Sequence, residues 1–515
     1  MARMHHSMNP QDPFRRSAGL LLHPTSLPSP YGIGDIGPAA REWVRFVAST
    51  GTGIWQILPM GPTGFGDSPY QCFSSFAGNP YLLSPDDLHA SGTLTAADLA
   101  SYPELPDDHV DYGPVIIAKV ALLDRAYSNY LAGDTNLEAE FAEFRREHAA
   151  WIEDFGLFMA LKDQHEGRPW TEWDRPLRLR HVRPIRAARR RLAHEVTRHV
   201  FRQFLFSHQW TRVRRLAAEL GVILVGDLPV YVAADSADVW ANRGLFRLDR
   251  EGRPTFVAGV PPDYFSRTGQ LWGNPLYNWR AHAAEDYQWW STRVAATLAQ
   301  VDVVRIDHFR AFADYWEIPA DAPTAQTGRW VDGPGDVLFE SLRRHLGSLP
   351  IIAEDLGELS PAVPALRDRL GLPGMKILQF GFDEDETHPF LPHNYPELSV
   401  AYTGTHDNDT VNGWYATAPE SERDLARRYL SWDGTDPAGR FIEAVWESRA
   451  MYAIAPLQDF LRMGPEGRMN VPGVPGGNWQ WRIPPGCDLN SVGDHLRVLN
   501  TRYDRWSVAI GGHPG

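Results

Sequence analysis

Strand-length apolar runs that end in turn or polar residues recur along this chain, with helix-like stretches between several of them. They fall at Gly19–His23, Gly53–Pro59, Val222–Asp227, Val301–Asp307, Pro350–Glu354, Met375–Phe382 and Val400–His406, and an eighth is expected near Met469–Val471. Glu285–Val301 and Val337–Leu346 have the length and pattern of helices. Strands alternating with helices over such a length predict a parallel sheet joined by crossover helices. The expected fold is therefore α/β, a (β/α)8 TIM-type barrel.

Two stretches interrupt the alternation. Residues 84–217 read as helices and loops, including Pro114–Ala132, Asn136–Glu147 and Arg186–Phe206, and are too long for one crossover. They are expected to be a mainly helical insertion between a first barrel segment, 1–83, and the rest of the catalytic barrel, 218–515. Residues 229–280 are rich in Gly, Pro and aromatics, and long loops of that kind usually form lids or binding loops. Tyr264, Phe265, Trp272 and Tyr277 make this stretch the candidate lid over the C-terminal ends of the strands.

A composition of 43% hydrophobic and 22% charged residues supports a large core without disulfide staples. Only Cys72 and Cys487 occur, which fits a reducing compartment. A net charge of −14 argues against nucleic acid or an anionic membrane as partner. The first residues lack the apolar core of a signal peptide, and no run is long enough to cross a bilayer. A cytoplasmic enzyme is expected, with no obligate protein partner evident.

Three of the strand-like runs end in acids: VDVVRIDHFR at Asp307, IIAEDLG at Glu354 and AYTGTHDND at Asp407. In a barrel enzyme the site is assembled at the C-terminal ends of the strands from residues distant in sequence. Alternation along a strand places Arg305 and Asp307 on one face, so the guanidinium can keep that carboxylate ionised. An ionised aspartate beside a carboxyl of raised pKa is what retaining glycoside chemistry needs.

These motifs resemble the strand-end motifs of the α-amylase superfamily, and more closely its amylomaltase, or disproportionating enzyme, branch of 4-α-glucanotransferases. LLLHPTSLPSPYGIGDIG, GIWQILPMGPTGFGDSPYQCFSSFAGNPYL, VGDLPVYVAADSADVW, GVPPDYFSRTGQLWGNPLYNW, GMKILQFGF and RMNVPGVPGGNWQWR carry the same resemblance over most of the chain. It implies that Asp307 is the nucleophile, Glu354 the general acid/base and Asp407 a holder of sugar hydroxyls. It places Arg305, His308, His406, Asp227, Ser68, Tyr70, Gln270, Trp272 and Asn470 against the substrate. It also implies transfer of α-1,4-linked glucan segments to maltodextrin or glucose acceptors, without cofactor or metal, with ring closure as a further outcome. An α-glucan hydrolase of the same superfamily would share the three acids, and an inactive glucan-binding protein would be expected to have lost one. In GPTGFGDSPY the family commonly has Tyr where this chain has Phe65, which removes a hydroxyl from any secondary glucan site.

Other patterns carry less. Gly32, Gly34 and Gly37 satisfy a dinucleotide-loop spacing but follow their strand eight residues too late. His194 and His199 are five apart, whereas a zinc helix needs four. The arginines between Arg175 and Arg191 lack interleaved aromatics and are expected to form a solvated helix face.

Overall fold

The computed structural model describes residues 15–133, 137–262, 267–383 and 385–507. Eight parallel strands close into a barrel: β1 Ser17–Leu21, β2 Ile54–Gln56, β3 Ile223–Pro229, β4 Val303–Asp307, β5 Ile351–Ala353, β6 Gly374–Ile377, β7 Ser399–Tyr402 and β8 Tyr452–Pro456. Each pairs with its neighbours in sequence, and β8 returns to β1 with Leu20 opposite Ala455. Nearly every strand residue is buried, because helices cover the outside and side chains fill the inside. Gly19 is required at one crowded point, where a Cβ would lie 2.9 Å from both Ile454 and Ile54.

The eighth strand is Tyr452–Pro456, and Met469–Val471 forms no strand. The physical reason lies in Phe441–Pro456, where a buried helix runs almost directly into a buried strand. Apolar periodicity does not separate the two states in such a run.

Helices Pro38–Ser49, Gln288–Leu298, Asp336–Leu346, Ala362–Leu370 and Pro437–Glu447 fill the usual crossovers. Between β2 and β3 stand Tyr112–Leu131, Glu138–Glu147, Ile152–Gln164, Val182–Arg191 and the long Ala193–Glu219. Asn136 lies outside the described residues. The arginine run is more than a solvated face. Arg175 and Arg178 pair with Glu251, and Arg180 and Arg189 pair with Asp154, tying short helices to their neighbours.

A second sheet sits beside the barrel mouth. Its antiparallel strands run in the order Gln270–Pro275, Phe256–Val260, Asp314–Pro319, Arg329–Asp332. The stretch read as a loop-rich lid therefore contributes two strands, whose partners arrive from after β4. Among the described residues, no helix is long and apolar enough to cross a membrane.

Candidate active site

Strand register creates the centre of the site. β3 and β4 pair with Asp227 opposite Arg305, both residues pointing into the barrel mouth. Arg305 Nη1 lies 2.6 Å from Asp227 Oδ2 and 3.2 Å from Asp307 Oδ1, so one guanidinium bridges two strand-end carboxylates. Its Nε faces Met375 Sδ on β6 at 3.3 Å. Tyr70, from the loop after β2, donates its hydroxyl to the same Asp227 oxygen at 3.0 Å. The other Asp227 oxygen is buried without a protein partner.

Glu354 follows β5 directly and is oriented by backbone. The His308 N–H donates to Oε2 at 2.6 Å and the Leu356 N–H to Oε1 at 3.1 Å. His308 reaches it because its φ is +53°, a left-handed turn immediately after β4. Such backbone, uncommon for residues other than glycine, concentrates at functional sites. Asp407 lies in the turn after β7. Asn470 Nδ2 donates to its Oδ1 at 2.6 Å, and Arg468 donates to its carbonyl at 2.8 Å.

Aromatic rings wall the centre. His406 stacks on Tyr70 with centroids 5.2 Å apart, and its Nε2 lies 3.4 Å from Asp407 Oδ2. Trp272 meets His308 edge-on at 4.8 Å, with Tyr231 beside both. Gln270 is one step further out and accepts from the Trp272 indole N–H at 3.0 Å. Ser68 forms the turn that presents Tyr70, its Oγ accepting that residue's N–H. Phe65, in the same loop, is 87% exposed. Tyr264 and Phe265 lie outside the described residues.

The electrostatics follow from four acids around one cation. Burial, then the neighbouring acids Asp227, Glu354 and Asp407, push Asp307 up to about 8 against the opposing pull of Arg305. Burial also raises Glu354, although Arg305 and the two backbone donors oppose it. Neighbouring carboxyls of this kind titrate as a pair, and this pair retains a proton near neutrality. Burial discourages the Arg305 charge, but Asp227 and Asp307 outweigh it and hold the guanidinium well above its ordinary range. Burial lowers His308 to about 3 and lowers His406, which leaves both rings neutral. Among the described residues no group of three or more His, Cys, Asp or Glu could hold a metal ion.

The fold thus gathers Asp227, Arg305, Asp307, His308, Glu354, His406, Asp407, Asn470, Tyr70 and Trp272 around one cleft, with Ser68 and Gln270 supporting its walls. Arg468, Tyr231, Met375 and Trp479 belong to it as well. Sequence reasoning passed over them although each lies within a quoted motif, because the motif says nothing of which of its residues turns inward.

A family model described as 4-alpha-glucanotransferase matches residues 22–488. The 4-alpha-glucanotransferase of Thermus thermophilus is 49% identical over 499 residues, covering 95% of this chain and 99% of the relative. The chloroplastic/amyloplastic 4-alpha-glucanotransferase DPE1 of Arabidopsis thaliana is 41% identical, covering 96% of this chain and 87% of the relative. The solved amylomaltase of Streptococcus agalactiae, in complex with acarbose, superposes with a TM-score of 0.92 at 37% identity, over 96% of this chain and all of that one. With a matching barrel, a family match over residues 22–488 and relatives of this identity, the chain belongs to the 4-alpha-glucanotransferase family.

Proposed function

We propose that this 4-alpha-glucanotransferase works by double displacement on α-1,4-linked glucans, with Asp307 as nucleophile and Glu354 as general acid/base. The observation that carries the reading is Arg305 bridging Asp227 and Asp307 while backbone N–H groups aim Glu354 from the adjacent strand end. Retaining chemistry needs two carboxyl groups about 5–5.5 Å apart, one ionised and one protonated. Arg305 favours the ionised form of Asp307, and the proton held by the pair serves the glycosidic oxygen from Glu354.

Asp307 attacks the anomeric carbon while Glu354 gives its proton to the departing sugar oxygen. The glucosyl ester that forms keeps the donor segment on the enzyme. Glu354, now a carboxylate, takes the proton from the 4-hydroxyl of an incoming acceptor, which displaces Asp307. Two inversions preserve the α configuration. Asp407, fixed by Asn470, holds hydroxyls of the sugar at the cleavage point. The unpartnered oxygen of Asp227 and the neutral rings of His308 and His406 receive the same ring. Ser68, Tyr70, Gln270 and Trp272 shape the flanking subsites. An acceptor hydroxyl on the far end of the donor itself would close a ring.

Transfer prevails over hydrolysis when a sugar reaches the ester before water does. Trp272 across His308 and the strands Phe256–Val260 and Gln270–Pro275 are the candidate water-excluding wall. The acarbose held by the Streptococcus agalactiae amylomaltase supports a glucan-shaped cleft here. Two free cysteines support a reducing, cytoplasmic setting.

Maltotriose as sole substrate tests the reading. Glucose with a ladder of longer maltodextrins is the expected result. Glucose and maltose without longer products would make the chain a hydrolase built on the same acids.

A further inference from the structure

Residues 468–482 form a loop that closes on itself and reaches the cleft at two points. Asn470 and Arg468 hold Asp407. Further along, Trp479 packs its ring on Tyr70 at 5.8 Å and on His406 at 5.9 Å. The three rings form one cluster, and Tyr70 extends it by hydrogen bond to Asp227. Moving Trp479 would therefore release two groups that face the sugar.

The backbone at Trp479 is unusual for such a residue. Its φ is +66°, a left-handed conformation that bulky side chains rarely adopt. Such conformations persist where surrounding contacts over-determine them. Here the Trp479 N–H donates to the Met469 carbonyl at 2.8 Å, which closes the loop. Its carbonyl accepts from the Tyr112 hydroxyl at 2.9 Å. Tyr112 is the buried first residue of helix Tyr112–Leu131, outside the barrel. The contact is one of a row, since Val110 N–H donates to the Gln480 carbonyl and Arg482 donates to the Pro106 carbonyl. The helical region is thus joined to the site loop at the point where that loop bends toward the cleft.

We infer that Trp479 is a positioning residue for glucan transfer, and that Tyr112 sets its pose from outside the barrel. The inference rests on the roles assigned above to Tyr70 and His406. Trp479 acts through those rings. Its loss affects the oriented transition state more than the binding of remote sugars, so the effect belongs in kcat rather than KM.

The test uses the full chain with Trp479→Ala, Trp479→Phe and Tyr112→Phe, and with Tyr127→Phe as control, since that hydroxyl donates to the His194 carbonyl within the helical region. Maltotriose transfer is measured as kcat and KM per folded molecule, with folded fraction read from circular dichroism at the assay temperature. A misplacement of about 1 Å predicts a kcat loss of about 100-fold in Trp479→Ala. Trp479→Phe restores most of it, Tyr112→Phe lowers kcat about fivefold by the same logic, and KM changes less than kcat in each. Tyr127→Phe leaves both constants unchanged. Should Trp479→Ala fail to fold, Trp479→Phe and Tyr112→Phe carry the test. Wild-type kcat per folded molecule in Tyr112→Phe overturns the inference, as does a Trp479→Ala loss explained wholly by unfolded protein. An Asp307→Ala variant that still transfers would instead sink the catalytic roles on which the inference rests.

Discussion

Two buried clusters in this molecule use the same residue types to opposite ends. At the barrel mouth, one arginine, Arg305, serves two carboxylates, Asp227 and Asp307, with Glu354 and Asp407 close by. In the side sheet, one carboxylate, Glu317, serves two arginines, Arg247 and Arg329. Glu317 and Arg305 are both nearly sealed from solvent, so burial does not distinguish them. Charge stoichiometry does. A surplus of acids leaves the mouth holding a proton near neutrality, which is a chemical resource. A surplus of arginines leaves each Glu317 oxygen facing a guanidinium, and these ion pairs join strands Asp314–Pro319 and Arg329–Asp332 to Arg247.

The largest effect expected from this contrast is at Asp307. Asp307→Ala should lower maltotriose transfer by about 10⁴-fold or more, as loss of a nucleophile does elsewhere. Measured turnover within tenfold of the wild type would end the comparison. A second experiment sharpens it through pH. Burial raises Glu354 above the ordinary carboxylate range, so transfer should fall on the alkaline side as Glu354 loses its acid form. Asp227→Asn removes a neighbouring negative charge and leaves Arg305 to Asp307. Both changes favour ionisation of Asp307, so the acid limb of kcat/KM, which needs the nucleophile ionised, should move to lower pH. A limb that stays or moves upward would show that acid surplus does not set the proton. The smallest effect is in the side sheet. Glu317→Gln should cost about 1–3 kcal/mol of stability, because it weakens buried charge-assisted bonds. Denaturant unfolding reads that cost, and kcat at a fully folded temperature should be unchanged.

Legibility differed in the same way between the two regions. Asp307 and Glu354 close apolar runs of strand length, so their place at the strand ends could be read directly from the pattern. Arg305 is two residues before Asp307, and strand alternation alone puts both on one face. The side sheet left no such trace. Phe256–Val260 and Gln270–Pro275 are short and contain Gly or Pro, which weaken any strand signal. The strand that pairs with Phe256–Val260 begins at Asp314, on the far side of β4. Tyr452–Pro456 was hidden for another reason, following a largely buried helix with only Ser448, Arg449, Ala450 and Met451 between them.

By itself, the sequence determined the barrel class, the acids at or just beyond its strand ends and, through its motifs, the family. These depend on local periodicity and on residue types at fixed spacing, which a linear chain displays. Only the tertiary structure decided that Arg305 bridges Asp227, that the His308 backbone aims Glu354 and that Asn470 holds Asp407. It also decided that Trp479, tied to Tyr112, packs against Tyr70 and His406. Those outcomes depend on strand register, on left-handed turns at particular residues and on loops brought together from distant parts of the chain, none of which has a local pattern to announce it.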